Sequence, residues 1–310
     1  MILIISTPSD EHAAAVINVL KQRDAPHYLL DMGNFPIRDT LSIHYNSDSF
    51  LKNTWNHIHL NDCKVAWWRR PQQFQLDEAL THQAEREFAF NESFSAVNGL
   101  WAMLDCHWVN NPLLDDAASR KVYQLKIATE LGLIIPKTLV TNNPDQARHF
   151  IEAIGIEKVI CKAFSATKET WRETRLVKNE EFALLNNVKY APVIFQEYIE
   201  ASIDLRITIV GDQIFPAAVY SQETAYKVDY RMTFHQAQIT TYTLPIDVEE
   251  KLRKLMKTLG LVYGAIDMRV KPSGEHIFLE INPSGQWLFM EQPTGMPITD
   301  AFAEHLIRFL

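Results

Sequence analysis

The segment Gly264-Ala-Ile-Asp267-Met-Arg269, followed by Ile277-Phe-Leu-Glu280-Ile-Asn282-Pro283, decides how this chain is read. Both pieces have the composition of β-strands, and Lys271-Pro-Ser-Gly-Glu275 between them reads as a tight turn. With the turn centred on Ser273-Gly274, Asp267 lies opposite Glu280. Side chains alternate along strands, so Arg269, Asp267, Glu280 and Asn282 point to one face. Ile266, Met268, Ile277, Leu279 and Ile281 are expected on the other, core-facing side. Two carboxylates and an amide oxygen form a hard-oxygen set of the kind that holds Mg²⁺ together with phosphate oxygens. Carboxylates placed opposite each other repel unless a cation sits between them. The plain alternative is a solvated polar face on a two-sided sheet.

The chain has 310 residues, 47% hydrophobic and 22% charged, which is ordinary for a soluble globular enzyme with ample core. A net charge of −8 argues against a non-specific nucleic-acid binder, whose footprint is basic. Cys63, Cys106 and Cys161 are odd in number, widely spaced and free of any CxxC, so reduced thiols in a cytoplasmic protein are expected. Met1-Ile-Leu-Ile-Ile-Ser6 has no basic leader and reads as a first strand, and no apolar run is long enough to span a membrane.

Working outward from the hairpin, residues 2–5, about 11–21 and 28–30 read as a βαβ opening, and Val65-Ala-Trp-Trp68 as a further buried strand. A long helix is expected over about 76–104, and Asn111-Pro112 breaks the pattern, placing a boundary near 112. Further helices are expected over 117–131, closed by Gly132, over 144–154 and over 246–259, with Thr299 capping a last one. Strands fall at 138–141, 159–162, 193–196, 205–210 and 214–220, and 165–190 is polar and expected to be mobile.

Four features carry chemistry. Lys162 ends an apolar strand and Lys121 lies in the first turns of the 117–131 helix, so both can serve as compact charges for phosphates, although either alone also fits a solvated surface. Val193-Ile-Phe-Gln196-Glu197-Tyr198-Ile199 is a strand running into a polar linker, a segment that can offer backbone groups to a base edge and an acid to a ribose. Asp204 and Arg206 share a strand face. That is either an exposed ion-pair ladder or an arginine poised to hold a phosphoryl group bidentately. The glycine-rich dinucleotide and P-loop signatures are absent, as are a nucleophile elbow and an HExxH zinc motif.

The ordered set Asn110-Asn-Pro112, Arg120-Lys121, Lys162, Gln196-Glu-Tyr-Ile199, Asp204-Leu-Arg206, Asp267 and Glu280-Ile-Asn282-Pro283 resembles the ATP-grasp carboxylate–amine ligases. Leu30-Asp-Met-Gly-Asn-Phe-Pro36, Trp67-Trp-Arg-Arg70 and Gln286-Trp-Leu-Phe289 narrow the resemblance to the microviridin-type peptide macrocyclases, or graspetide synthetases. The resemblance implies an α/β (α+β) ATP-grasp fold, with an N-terminal pre-ATP-grasp domain at 1–112. A central subdomain with a lid and a peptide-docking region follows at 113–198. A C-terminal subdomain with the metal site occupies 199–310. It implies ATP and Mg²⁺, or Mn²⁺ in its place, as cofactors. Lys121 and Lys162 would meet phosphates, and Glu197 and Ile199 the adenine, the latter through its backbone. Gln196 and Tyr198 would also belong to the nucleotide site, and Asp204 would lie near the ribose. Asp267, Glu280 and Asn282 would hold the metal, Arg206 the acyl phosphate, and Arg269 the reacting carboxylate. A glycine-rich phosphate-covering loop is missing after Lys162, so closure would rest on Ser165, Thr167 and Lys168.

The implied partner is a ribosomal precursor peptide, both leader and core, docking near the basic stretch 168–178 and the strands at 214–243. A homodimer is expected, with no nucleic acid and no membrane partner. The implied reaction activates an Asp or Glu side chain of the precursor as an acyl phosphate and closes an ester or amide ring. The alternative is a ligase that adds an amino acid to a protein tail or a small molecule, as the ribosomal-protein glutamate ligases do. A third reading is a nucleotide-binding regulator without activity.

Overall fold

The computed structural model describes residues 1–45, 52–164, 174–224, 227–229 and 234–310. The first unit opens with β1 (Ile2–Ile5), α1 (Glu11–Gln22) and β2 (His27–Leu30). It continues through a small antiparallel sheet of β3 (Leu41–His44), β4 (Lys52–Trp55) and β5 (Ile58–His59) to β6 (Val65–Trp68), α2 (Gln83–Met103) and β7 (His107–Val109). The main sheet is parallel in the order β2-β1-β6-β7. All four residues of β1 are buried, which is why Ile-Leu-Ile-Ile reads as an unbroken apolar run: both faces are covered. Helix α2 starts at Gln83, later than its sequence suggests.

Asn111 caps α3 (Pro112–Ser119) by accepting from the Leu113 and Leu114 amides, and Pro112 occupies the first turn, where its missing N–H costs nothing. The expected single helix at 117–131 is two, because Arg120 is extended (φ −75°, ψ 105°) before α4 (Lys121–Glu130). The Gln124 side chain makes the break tolerable, donating to the Ala118 carbonyl at 2.6 Å. Gly132 follows α4 in the left-handed region.

The second unit contains β8 (Thr138–Thr141), α5 (Pro144–Ile154), β9 (Val159–Lys162), β10 (Arg175–Leu176), α6 (Asn179–Ala183) and β11 (Val193–Glu197). Its antiparallel sheet runs β10-β9-β11-β8, with Ala147 and Ile151 of α5 packed against Val159 and Phe195. The region expected to be mobile is regular from Arg175 onward, and Glu181 closes a capping box on the Lys178 amide.

The third unit begins with β12 (Ile203–Val210), β13 (Gln213–Val219), β14 (Ile239–Thr241) and α7 (Ile246–Leu259). It ends with β15 (Tyr263–Val270), β16 (His276–Asn282), α8 (Leu288–Thr294) and α9 (Ile298–Ile307). The sheet order is β14-β13-β12-β15-β16, all antiparallel. Helix α7 buries Leu252, Leu255, Met256 and Leu259 on one face of this sheet. The opening hairpin pairs as expected at Asp267 with Glu280 and at Ala265 with Asn282, but a bulge then shifts the register. Met268 faces Phe278, so Phe278 joins the core in place of the expected Leu279. Thr299 does not cap α9 but sits inside its first turn, accepting from the Trp287 indole at 3.0 Å.

The first and third units share one core. Ile2, Ile4, Val16 and Trp67 pack with Tyr263, Trp287, Phe302 and Leu306, and Trp287 stacks on Phe302 at 5.3 Å between centroids. Among the described residues no helix is long and apolar enough to cross a membrane. The three cysteines are free thiols. Because Trp287 is fully buried where the units meet, Trp287→Ala should lower stability by about 3–5 kcal/mol. Calorimetry should show both units melting in one transition at the lower temperature rather than two.

Candidate active site

A cleft lies between the second and third sheets, lined by Lys121, Lys162, the linker 196–199, Asp204, Asp267, Arg269, Glu280 and Asn282. Its floor is the hairpin. Asp267 and Glu280 face each other across β15 and β16, and each carboxylate has a cation. Arg206, directly across β12 from Asp267, donates from Nη1 to both Asp267 oxygens at 3.0 Å. Lys121, at the start of α4, forms an ion pair with Glu280. The Asn282 side-chain amide lies 3.5 Å from Asp267 and 3.4 Å from Glu280. The two opposed carboxylates are an anionic oxygen pair whose chemistry fits a divalent cation, and the Asn282 Nδ2 group donates toward both of them. No group of three or more His, Cys, Asp or Glu suited to a metal occurs among the described residues, so an ion here would complete its shell with phosphate or water oxygens.

The cleft's other wall is the second sheet. Lys162 donates to the Gln196 carbonyl oxygen at 3.1 Å, and the Gln196 amide donates to Thr138 at 2.8 Å, so the buried glutamine fixes the lysine's reach. In the linker, the Glu197 and Tyr198 amides are held by the Lys137 and Lys158 carbonyls at 2.9 and 2.8 Å. That rigidity presents Glu197, Tyr198 and Ile199 to the cleft.

Two expectations change. Arg269 lines the cleft, but its donors go to the protein: Nε to Asp204 at 2.8 Å, Nη1 to the Ile199 carbonyl at 2.8 Å, and Nη2 to the Lys227 and Val228 carbonyls at 2.7 and 3.1 Å. Burial opposes its charge, and Asp204 more than offsets that, raising its pKa above the usual arginine value. A guanidinium so committed is a scaffold for the linker and for 227–228, and it is not placed to meet a reacting carboxylate. Asp204 in turn accepts from Arg269 and Ser221, so both of its oxygens are engaged before any ribose arrives. Ser165, Thr167 and Lys168 lie outside the described residues.

The cleft also contains residues the sequence did not single out. Ile160 shares a strand face with Lys162, so simple alternation would have found it. Leu279 reaches the cleft because of the bulge, and Asp229 and Val228 come from a segment with no periodic signal.

Residues 118–306 match the family model described as a RimK-like ATP-grasp domain, and residues 1–115 match the MvdD pre-ATP grasp domain. The chain belongs to the ATP-grasp ligases. Within them it belongs with the peptide macrocyclases. It superposes on the macrocyclase MdnC of Microcystis aeruginosa MRC, solved with its precursor peptide MdnA, with a TM-score of 0.87 and 31% identity over 99% of both chains. A Chryseobacterium gregarium RiPP-associated ATP-grasp ligase, solved with ADP and a leader and core peptide, gives 0.89 and 26% over 99% of this chain and 96% of that one. A probable alpha-L-glutamate ligase of Shewanella sp. is 25% identical over 64% of this chain and 67% of its own. The expected fold and family therefore hold. The ATP-grasp ligase is an ATP-dependent enzyme, and the reading as an inactive regulator falls.

The buried Asp204–Arg269 pair, 3% and 5% exposed at the side chains, predicts that Asp204→Ala strands a charge in the interior. Urea unfolding should show a loss of about 3–5 kcal/mol. Glu280→Gln relieves the facing carboxylates and should cost at most about 1 kcal/mol, or raise stability, because polar functional sites are often destabilising.

Proposed function

We propose that this ATP-grasp ligase activates Asp or Glu side chains of a ribosomal precursor peptide as acyl phosphates and joins them to hydroxyl or amine side chains of the same peptide. The observation that carries the reading is the paired-carboxylate floor opposite the two lysines, combined with near full-length likeness to precursor-bound macrocyclases. The glutamate ligases cover a smaller share of the chain at lower identity, which makes amino-acid addition the weaker reading.

In this reading Asp267, Glu280 and Asn282 hold Mg²⁺, with Mn²⁺ as a substitute, and the ion neutralises charge on the phosphates. Lys121 and Lys162 bind phosphate oxygens as point charges. Gln196 orients Lys162, and Glu197, Tyr198 and Ile199 seat the adenine. Arg206 stabilises charge on the transferring phosphoryl group and then on the acyl phosphate. The peptide carboxylate attacks the terminal phosphate in line, and the nucleophile displaces phosphate from the acyl carbon. Positioning supplies the rate, and no covalent bond to the protein forms. The three-part division at 112 and 198 follows the same reading.

The protein is proposed to work in the cytoplasm as a homodimer. Support for the dimer comes from α2, whose first half is almost wholly exposed and carries Phe88 at 68% and Phe94 at 53% exposure. A solvent-facing half-helix of that kind gains stability from a partner. Phe88→Glu with Phe94→Glu should halve the mass found by light scattering, and an unchanged mass would remove this surface from consideration.

The central test is co-expression with a precursor encoded beside the gene, followed by mass spectrometry. Ring closure subtracts one water for each bond made, whereas glutamate addition increases the mass. Glu280→Gln should abolish the change while the protein stays folded.

A further inference from the structure

Residues 283–287 join the floor of the cleft to α8, and their backbone is held by side chains from distant parts of the chain. The Pro283 carbonyl accepts from the Asn110 amide at 3.1 Å. The Ser284 carbonyl accepts from Arg69 Nη1 at 2.8 Å and from Arg70 Nε at 3.3 Å. The Gly285 carbonyl accepts from Arg69 Nη1 at 2.7 Å and from the Tyr263 hydroxyl at 2.9 Å. The Gln286 carbonyl accepts from Arg206 Nη2 at 2.9 Å. On the next residues the direction reverses, and the Trp287 and Leu288 amides donate to His12 Nε2 at 3.0 and 3.3 Å.

His12 can accept only as a neutral ring. Burial and the neighbouring Arg69 keep it so, pushing its pKa down to about 3. Arg69 is fully buried, with Nε 3.3 Å from Asp10, and Asp10 also caps α1 through the Ala13 amide at 2.8 Å. Its guanidinium lies over the Trp287 ring at 5.5 Å. Gly285 completes the fit, because a Cβ there would come within 2.4 Å of Ala265 Cβ and 2.7 Å of Arg206 Nη2. The chain is thus continuous from the N-terminus of α1, through Asp10 and Arg69, to the carbonyls of 284 and 285. From there it reaches both Asn282, one proline away, and Arg206, which donates to the Gln286 carbonyl.

We propose that Arg69 of the pre-ATP-grasp domain, with His12 beside it, is a positioning residue for the ligase reaction: it fixes the 283–287 backbone and through it sets Asn282 and Arg206 against the metal and the phosphates. The proposal rests on the metal and phosphate roles given to those two residues above. It makes the N-terminal domain part of the nucleotide site without touching nucleotide. Groups that orient a metal-binding side chain without binding the ion commonly change metal affinity or activity by about 10–100-fold when replaced.

The test uses the full chain and the non-hydrolysable analogue AMP-PNP, titrated calorimetrically with and without Mg²⁺. Arg69→Lys keeps the charge but has a single nitrogen, which cannot hold Asp10 as Nε does and both carbonyls as Nη1 does. Nucleotide affinity in EDTA should stay within about twofold of wild type, while the Mg²⁺ concentration for half-maximal tight binding rises about tenfold or more. His12→Ala removes the acceptor from the other end of the loop and should give the same split, which keeps the test decisive if Arg69→Lys does not fold. Equal weakening with and without Mg²⁺, or no change in either folded variant, overturns the proposal. Wild-type binding that is indifferent to Mg²⁺ overturns the metal assignment and this proposal with it.

Discussion

The site depends on one electrostatic constraint: Asp267 and Glu280 are cross-strand neighbours, and neither can be left without a cation. Everything near the floor answers that constraint. Arg206 takes both Asp267 oxygens through Nη1 from the next strand, and Lys121 takes Glu280 from a helix start that exists only because Arg120 breaks α3 from α4. Asn282 points its amide at both. Lys121 can neutralise Glu280 or a phosphate, but its single ammonium cannot do both fully. In the proposed reading, a divalent ion at the carboxylates would release Lys121 for a phosphate, so carboxylates and lysine would suit a metal–nucleotide pair rather than either component alone. The interior cost of holding two like charges together is the usual signature of a site kept for function rather than stability.

Much of this was legible in the chain, for definite reasons. Period-two alternation alone places Asp267, Glu280 and Asn282 on one face and puts Glu280 opposite Asp267. The buried strand at Ile2–Ile5 was equally readable from its unbroken apolar run, whereas Asn111-Pro112 reads only as a break, and the helix it opens lies ahead of the one expected from 117. The bulge was not, because Ile277, Phe278 and Leu279 are all apolar and any of them can face a core. One inserted residue sends Phe278 inward and Leu279 to the cleft. The break at Arg120 was also hidden: no glycine or proline marks it, and what stabilises it is a glutamine side chain from the following helix.

Arg269 shows where face assignment stops being informative. Alternation puts it correctly beside the carboxylates, yet its partner is Asp204 on the neighbouring strand, with which it is registered directly. A sequence gives the face a side chain takes but not which of several oxygens will claim its donors. Here four acceptors from three separate segments claim them. The arginine that looked reactive is the one that ties the 196–199 linker to the sheet of the third unit. Arg206, with the same chemistry two positions along the facing ladder, keeps the place next to Asp267.

The contributions of the first unit lay furthest from view. Arg69 reaches backbone carbonyls 215 and 216 residues away, and His12 accepts from amides 275 and 276 residues away. Backbone groups carry no sequence signature, so nothing in Ser284-Gly-Gln286 announces that three arginines converge on it. The shared core explains why such contacts are dependable. Trp67 packs at a tilt across the seam on Trp287 and Phe302, which with Tyr263 form an edge-on and stacked cluster, so the N-terminal sheet and the C-terminal helices are locked together. A dry aromatic seam transmits position because close-packed interiors do not deform gradually. The first unit is then structurally inseparable from the ligase site, and Arg69 is the point at which that packing is converted into hydrogen bonds on the segment that carries Asn282.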